Sequence, residues 1–274
     1  MLEAAARLWH LRVMDQPTSP GARFEAERQV PPLPPLFRIG KRLRHRISGL
    51  IAQSSKVGDT PLYDPKLFPW IARLEARWPE IRGEVEALLA RQDGIPPLAE
   101  ISPDHRRIAP PGKWKSFFLY GYGYRNEANC ARCPGTADAV SDIPGLNSAF
   151  FSILDPGAHI PRHRGVTKAI LTAHLGLVVP VKREACRMQV DEERLTWEEG
   201  KVLVFDDTYH HEVWNDTGQQ RVILLVQFRR PTGPAGRLVG GLFLEGVRRS
   251  RFVQDARSSL GDWEKAMQKL EREP

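Results

Sequence analysis

The chain has little cysteine and no long apolar run. Its 274 residues contain 3 cysteines, too few for a disulfide scaffold: Cys130 and Cys133 form a single CxxC, and Cys186 stands apart. A structural zinc site needs more ligands close by, so a reduced, structural pair is expected. Nowhere do apolar residues run to the ~20 that a membrane-spanning helix needs. The segment MLEAAARLWHLRVMD is too short and mixed for a secretory signal, and a cytoplasmic, reducing compartment is expected. Internal repeats and low-complexity tracts are absent. RNA-recognition, zinc-finger and helix-turn-helix patterns are absent too, and a net charge of +7 (Lys+Arg 40, Asp+Glu 33) is weak grounds for a nucleic-acid partner. None is expected. The same charge would equally serve an anionic membrane surface or an acidic substrate.

What is present describes a soluble globular chain, 41% hydrophobic and 27% charged, with one substantial domain and extensions. Residues 1–58 read as a basic, proline-rich extension, because QVPPLPPLF excludes regular helix and central strand. In FRIGKRLRHRISGLIA, Lys41, Arg42, Arg44 and Arg46 mix with Phe37, Ile39, Leu43, Ile47, Leu50 and Ile51. That mixture fits an interfacial helix on anionic lipid, or a helix packed on the domain with a solvated basic face. Residues 59–231 form the main domain. Trp70, Ile71, Leu74 and Trp78 share a helical face, and Ile81, Val85, Leu88 and Leu89 continue it after Pro79, giving two short helices or one kinked helix. DGIPPLAEISPDHRRIAPPG reads as loop. Strand signals then dominate: KWKSFFLYGYG, SAFFSIL, ILTAHLGLVVPV, the hairpin series CRMQVDEERLTWEEGKVLVFDD, and RVILLVQF. Many short strands without helical patterns between them indicate an antiparallel barrel or jelly roll. Residues 232–274 are an apolar, basic tail ending in a helical pattern, SLGDWEKAMQKLERE.

Two histidines stand in matching contexts, His163 in LDPGAHIPRHRGVTKA and His211 in GKVLVFDDTYHHEVWND, and Arg221 follows in QQRVILLVQF. Imidazole nitrogens suit iron, and a guanidinium beyond the second histidine can clamp the distal carboxylate of a 2-oxo acid. A jelly roll would bring the two histidine-bearing strands face to face. Lys168 and Arg187 are the other cations able to act as the clamp. For Asp206 and His210, cap, turn or surface roles outweigh ligation.

Ser152, His163, His174, His211 and Arg221, together with HLGLVVP, WEEGKVLVFDD and HEVWN, make the chain resemble the aspartyl/asparaginyl β-hydroxylase family of 2-oxoglutarate dioxygenases. The resemblance spans about residues 58–231 and is specific from 150 onward. It implies a mainly β fold with flanking helices, a double-stranded β-helix of the jelly-roll or cupin-like kind. It also implies Fe(II), O2 and 2-oxoglutarate as co-substrate, with hydroxylation of an unactivated C–H bond and release of succinate and CO2. On that resemblance His163 and His211 match the iron ligands. Arg221 matches the arginine on the distal carboxylate, Ser152 a hydroxyl on that carboxylate, and His174 a second co-substrate contact. Trp114 matches a wall of the pocket, and Asp207 an aspartate that holds an iron-bound water. The carboxylate of a 2-His-1-carboxylate site, two residues after the first histidine, is missing, because that position is Gly165. A non-catalytic cupin-like binding module is the alternative, and it should have lost Arg221 or one histidine.

For the substrate, relatives acting on aspartyl or asparaginyl side chains place an arginine where this chain has Thr172. TPLYDPKLFPWI and KWKSFFLYGYG look closer to bacterial hydroxylases of lipid A acyl chains, although those carry an aspartate at the position of Gly165 and an N-terminal hydrophobic anchor. The resemblance leaves a small molecule or amino acid, an aspartyl- or asparaginyl-type peptide, or a lipid A-type acyl chain. The last would place the protein in peripheral contact with the anionic inner membrane face.

Overall fold

The computed structural model describes residues 45–90, 95–101, 108–251 and 253–261. In chain order the strands are β1 (Leu62–Tyr63), β2 (Trp114–Gly121), β3 (Tyr124–Arg125), β4 (Leu146–Leu154), β5 (Ala158–His163) and β6 (Ile170–Val178). They continue with β7 (Cys186–Val190), β8 (Glu193–Thr196), β9 (Val202–Phe205), β10 (His211–Asn215) and β11 (Arg221–Arg229). They form a seven-stranded sheet, β1-β9-β6-β11-β4-β2-β3, and a four-stranded sheet, β5-β10-β7-β8. Every strand pairing is antiparallel. Two antiparallel sheets closed over a shared interior make the expected jelly roll.

Side chains alternate across a strand, so each strand of the large sheet contributes to two cores. Trp114, Phe118, Phe150, Leu154, Phe205 and Ile223 face inward and meet Ile160, Met188, Val190 and Val213 of the small sheet. Phe117, Phe151, Leu171, Leu175, Val204 and Leu224 face the other way and pack against helices. Those helices are α1 (Trp70–Ala76) and α2 (Trp78–Ala90), two separate helices broken at Arg77, with α4 (Glu127–Arg132) and α5 (Pro134–Ser141).

Two secondary-structure expectations need correction. The stretch read as loop contains a short helix, α3 (Leu98–Ile101), whose Leu98 and Ile101 enter the barrel core. The strand-dominated reading missed α4 and α5. The N-terminus of α5 is capped by no residue of its own: Glu84 of α2 accepts from Gly135 N–H (2.7 Å), Thr136 N–H (2.7 Å) and the Thr136 hydroxyl. A carboxylate there complements the helix dipole, and it arrives from 51 residues away. Cys130 and Cys133 are free and buried between these helices, and burial pushes the Cys133 thiol up to about 12, as suits an inert packing residue.

Described residues before 58 pack on the domain. A helix over 45–53 buries Ile51, Ser55 bridges Thr232, and Lys56 N–H donates to Pro231 O at 2.9 Å. The chain then runs into α6 (Pro234–Arg248), whose Gly240 lies against Ile51 and Ala169. The basic residues Lys41, Arg42 and Arg44 and the end of the terminal helical pattern, from 262, lie outside the described residues.

Candidate active site

His163 closes β5 and His211 opens β10, and the two are direct partners in the antiparallel ladder. The histidine strands are therefore neighbours in the small sheet, not facing each other across the barrel as expected. Opposed residues on one face lie close enough to share a ligand, and the two ring centroids are 4.0 Å apart. Each Nδ1 lies against a main-chain oxygen, His163 on Pro161 O (2.9 Å) and His211 on Tyr209 O (3.1 Å). An Nδ1–H donated to a carbonyl leaves the Nε2 lone pair free, which is the tautomer a metal ligand needs. Burial lowers both imidazole pKa values, that of His211 to about 3, with the neighbouring His163 adding to the shift in His211. Both are neutral donors.

His174 has the opposite tautomer. Trp197 Nε1–H points at its Nδ1 (3.3 Å), so the proton sits on Nε2, which is buried without a hydrogen-bond partner. Its pKa is well below the ordinary value, through burial first and the Arg221 charge second. The His174 ring packs edge-on to Phe205 (4.9 Å), and Phe205 packs on His211 (5.6 Å), which links the neutral donor to the histidine pair.

Arg221 is fully buried at the start of β11, with its Cζ 4.7 Å above the Trp197 ring. Its Nε lacks a partner, and among the described residues no carboxylate pairs with it. Burial pulls its pKa down to about 10. A desolvated cation without a counter-ion costs several kcal/mol, of which a cation–π contact recovers about 2. Such a group is set up to receive an anion. Ser152 on β4 accepts from Trp114 Nε1–H at 3.0 Å, which leaves its hydroxyl proton to donate. The buried Ser116 hydroxyl, opposite Ser152 in the ladder, has no partner either. Arg221 and His174 Nε2–H can only donate and the two serine hydroxyls each have a proton to give, a set of donors matched to a carboxylate. Lys168 is instead paired to Asp59 (2.5 Å) and Asp206 (3.0 Å), and Arg187 to Asp216 (2.7 Å), so neither is the clamp.

Asp207 sits in the turn between β9 and His211. Its carboxyl is raised to about 7, by burial first and the Asp206 charge second, and Oδ1 lacks a partner. Thr172 Oγ1 donates to Oδ2 at 3.4 Å. Gly165 N–H donates to Asp207 O at 2.6 Å, and a Cβ on Gly165 would overlap the Asp207 carboxylate. The missing side chain at 165 is what makes room for the acid at 207. Asp206, read as cap, turn or surface, does accept from Thr208 N–H (2.9 Å) within its turn, but it is fully buried. It pairs with Arg230, which also donates to Tyr63 OH (2.6 Å). This network anchors the turn that carries Asp207 and His211. His210 lies outside the interior, beside Arg162 (3.3 Å), and the exposed Arg162 and Arg164 flank the part-exposed His163 and mark this end of the barrel as its mouth.

The donor sets fit the implied groups: two neutral Nε2 lone pairs for a metal, and an unpaired buried guanidinium with an orphan N–H for a dicarboxylate. Among the described residues no cluster of three or more His, Cys, Asp or Glu has metal-holding geometry. Sequence reasoning missed Trp197, which both sets the His174 tautomer and covers Arg221. Its signal was a tryptophan heading the WEEGKVLVFDD string.

A family model described as aspartyl/asparaginyl beta-hydroxylase matches residues 75–231. The chain is 41% identical over 211 residues to an ornithine lipid ester-linked acyl 2-hydroxylase of Rhizobium tropici, covering 77% of this chain and 75% of that protein. It is 33% identical over 201 residues to aspartyl/asparaginyl beta-hydroxylase of Homo sapiens, covering 70% of this chain but 25% of the human protein. A solved prolyl-4-hydroxylase of Pseudomonas putida, 22% identical, covers 56% of this chain and 87% of its own at a TM-score of 0.36, too low to carry an argument.

Proposed function

The chain belongs to the aspartyl/asparaginyl β-hydroxylase family, and from that premise we propose that it is an Fe(II)- and 2-oxoglutarate-dependent hydroxylase of a lipid acyl chain. The observation that carries the co-substrate is Arg221, a buried guanidinium without a counter-ion beside a histidine whose orphan Nε2–H can only donate. Bound iron and 2-oxoglutarate would supply the oxidising power, one oxygen atom of O2 going to the C–H bond and the other to succinate as CO2 leaves. His163 and His211 hold the metal through Nε2. Arg221, Ser152 and His174 hold the distal carboxylate, and Trp114 and Trp197 keep water from that end. The Asp207 carboxyl fills the space a side chain on 165 would otherwise take, and its unpartnered Oδ1 is left free for a further hydrogen bond.

The acyl substrate is supported by the 41% identity to an ornithine lipid acyl hydroxylase over most of both chains. Thr172 supports it further. Its hydroxyl serves Asp207, so this position offers a carboxylate-bearing side chain no cation. Arg162 and Arg164 instead stand on the exposed rim, suited to an anionic head group outside the barrel.

The test is single-turnover mass spectrometry with anaerobically loaded iron and 2-oxoglutarate. Separate arms contain ornithine lipid, lipid A and an aspartyl/asparaginyl peptide. A gain of one oxygen on an ester-linked chain, matched by succinate, is expected with a lipid. Hydroxylation of the peptide alone would overturn the substrate. Absence of 2-oxoglutarate turnover in every arm would overturn the class.

A further inference from the structure

We propose that the outward face of α6, with the neighbouring helix over 45–53, docks on an anionic lipid bilayer and holds the barrel mouth at head-group level. This rests on the acyl-chain reading above. Leu238 and Leu242, one turn apart on α6, are 64% and 67% exposed, and Leu50 on the adjoining helix is 40% exposed. The opposite face of α6 carries the buried Gly236 and Gly240, which let it lie close against Ser54, Ile51 and Ala169. Leucines therefore remain on the solvent side although the helix has a packed side to put them on. Exposed Arg46 lies one turn before Leu50, exposed Arg237 adjoins Leu238, and exposed Arg249 and Arg251 follow the end of α6. Glu245, the one acid of α6, is shared by Arg248 (2.8 Å) and Arg249 (2.7 Å) and so leaves the face net basic. Among the described residues no helix is long and apolar enough to cross a membrane. Exposed leucines ringed by arginine make the pattern of a helix lying in the interface.

Position ties this face to the site. Gly240 touches Ala169, at the end of the loop that leaves His163, and Arg230 ties Ala169 O (2.9 Å) and Lys168 O (2.7 Å) to the end of β11. A surface contact through α6 therefore sets where the mouth and its rim cations Arg162 and Arg164 sit. A second copy is a poorer occupant, because a two-fold contact would set these arginines against themselves over a patch of three leucines.

The test uses the full-length, iron-loaded protein and cosedimentation with phosphatidylglycerol/phosphatidylcholine vesicles, pure phosphatidylcholine vesicles being the control. Binding to the anionic vesicles is expected, weakening as salt rises. The double variant Leu238→Ser/Leu242→Ser changes only exposed positions and should keep the wild-type Tm, yet bind at least about tenfold more weakly. Its turnover of vesicle-held lipid should fall in step, while turnover of detergent-dispersed lipid stays at the wild-type level. The docking surface is wrong if the wild type ignores anionic vesicles, or if the double variant binds them equally well. It is also wrong if the variant only dissociates an oligomer. If no lipid is hydroxylated in either form, the acyl-chain reading fails separately, and vesicle binding then reports on the surface alone.

Discussion

The large sheet is covered on both faces, by helices outside and the small sheet inside, while the small sheet has one face in solvent. Burial along β4 and β6 is nearly continuous, whereas β7 and β10 alternate buried with part-exposed positions. The difference divides the chemistry. Arg221, Ser152, His174 and Trp114 project from the doubly covered sheet, where a lone cation stays desolvated and is worth most to an anion. His163 and His211 project from the sheet with a wet back, at the end of β5 and the start of β10. A charge-binding floor needs depth, and a reacting centre needs access.

The comparison breaks most sharply at the small sheet. His163→Ala or His211→Ala should each reduce iron-dependent 2-oxoglutarate decarboxylation to background, because two donors leave no reserve. Retained turnover in either variant would end the metal assignment. In the large sheet, Arg221→Leu should raise the 2-oxoglutarate requirement by about 2–5 kcal/mol equivalent while iron affinity measured by calorimetry holds. Equal losses of both would mean that the two sheets do not act separately.

Acid should expose the same division in the metal-free protein. Burial lowers the pKa of His163, His174 and His211 in the folded protein, that of His211 to about 3, whereas all three take up protons near pH 6.5 once unfolded. Asp207 works the other way, because its folded carboxyl holds a proton up to about 7 and loses it on unfolding. Between about pH 6 and 5 the buried imidazoles outweigh Asp207, so the unfolded chain binds more protons net and stability falls on acidification. Urea unfolding across that window checks the slope, and a flat profile would mean that the imidazoles are charged in the folded protein.

A smaller effect is expected where the sheets meet. Gly165→Ala should displace the Asp207 carboxylate and lower kcat by roughly 1–3 kcal/mol equivalent, and adding Asp207→Ala should change little more, as coupled neighbours do. Additive losses would show that Gly165 acts otherwise. The mildest change is Trp197→Phe, which keeps the ring over Arg221 but removes the N–H that sets the His174 tautomer. It should raise KM for 2-oxoglutarate by about 1 kcal/mol equivalent, with kcat nearly unchanged.

The strands and the jelly-roll class were legible in the sequence, because alternation and turn residues are local signals, and the candidate residues were nominated by the resemblance that the short histidine strings carry. Seven-stranded order, α4 and α5 were not legible. Glu84, a cap supplied from another helix, stands in no local relation to Gly135 and Thr136. Asp206 looked like a turn residue because its partner, Arg230, is distant in sequence. The pairing of β5 with β10, the opposite tautomers of His174 and His211, and the steric exchange between Gly165 and Asp207 were decided by the tertiary structure. Each depends on which groups meet across the chain, and a carbonyl or an indole N–H from elsewhere determines where an imidazole keeps its proton.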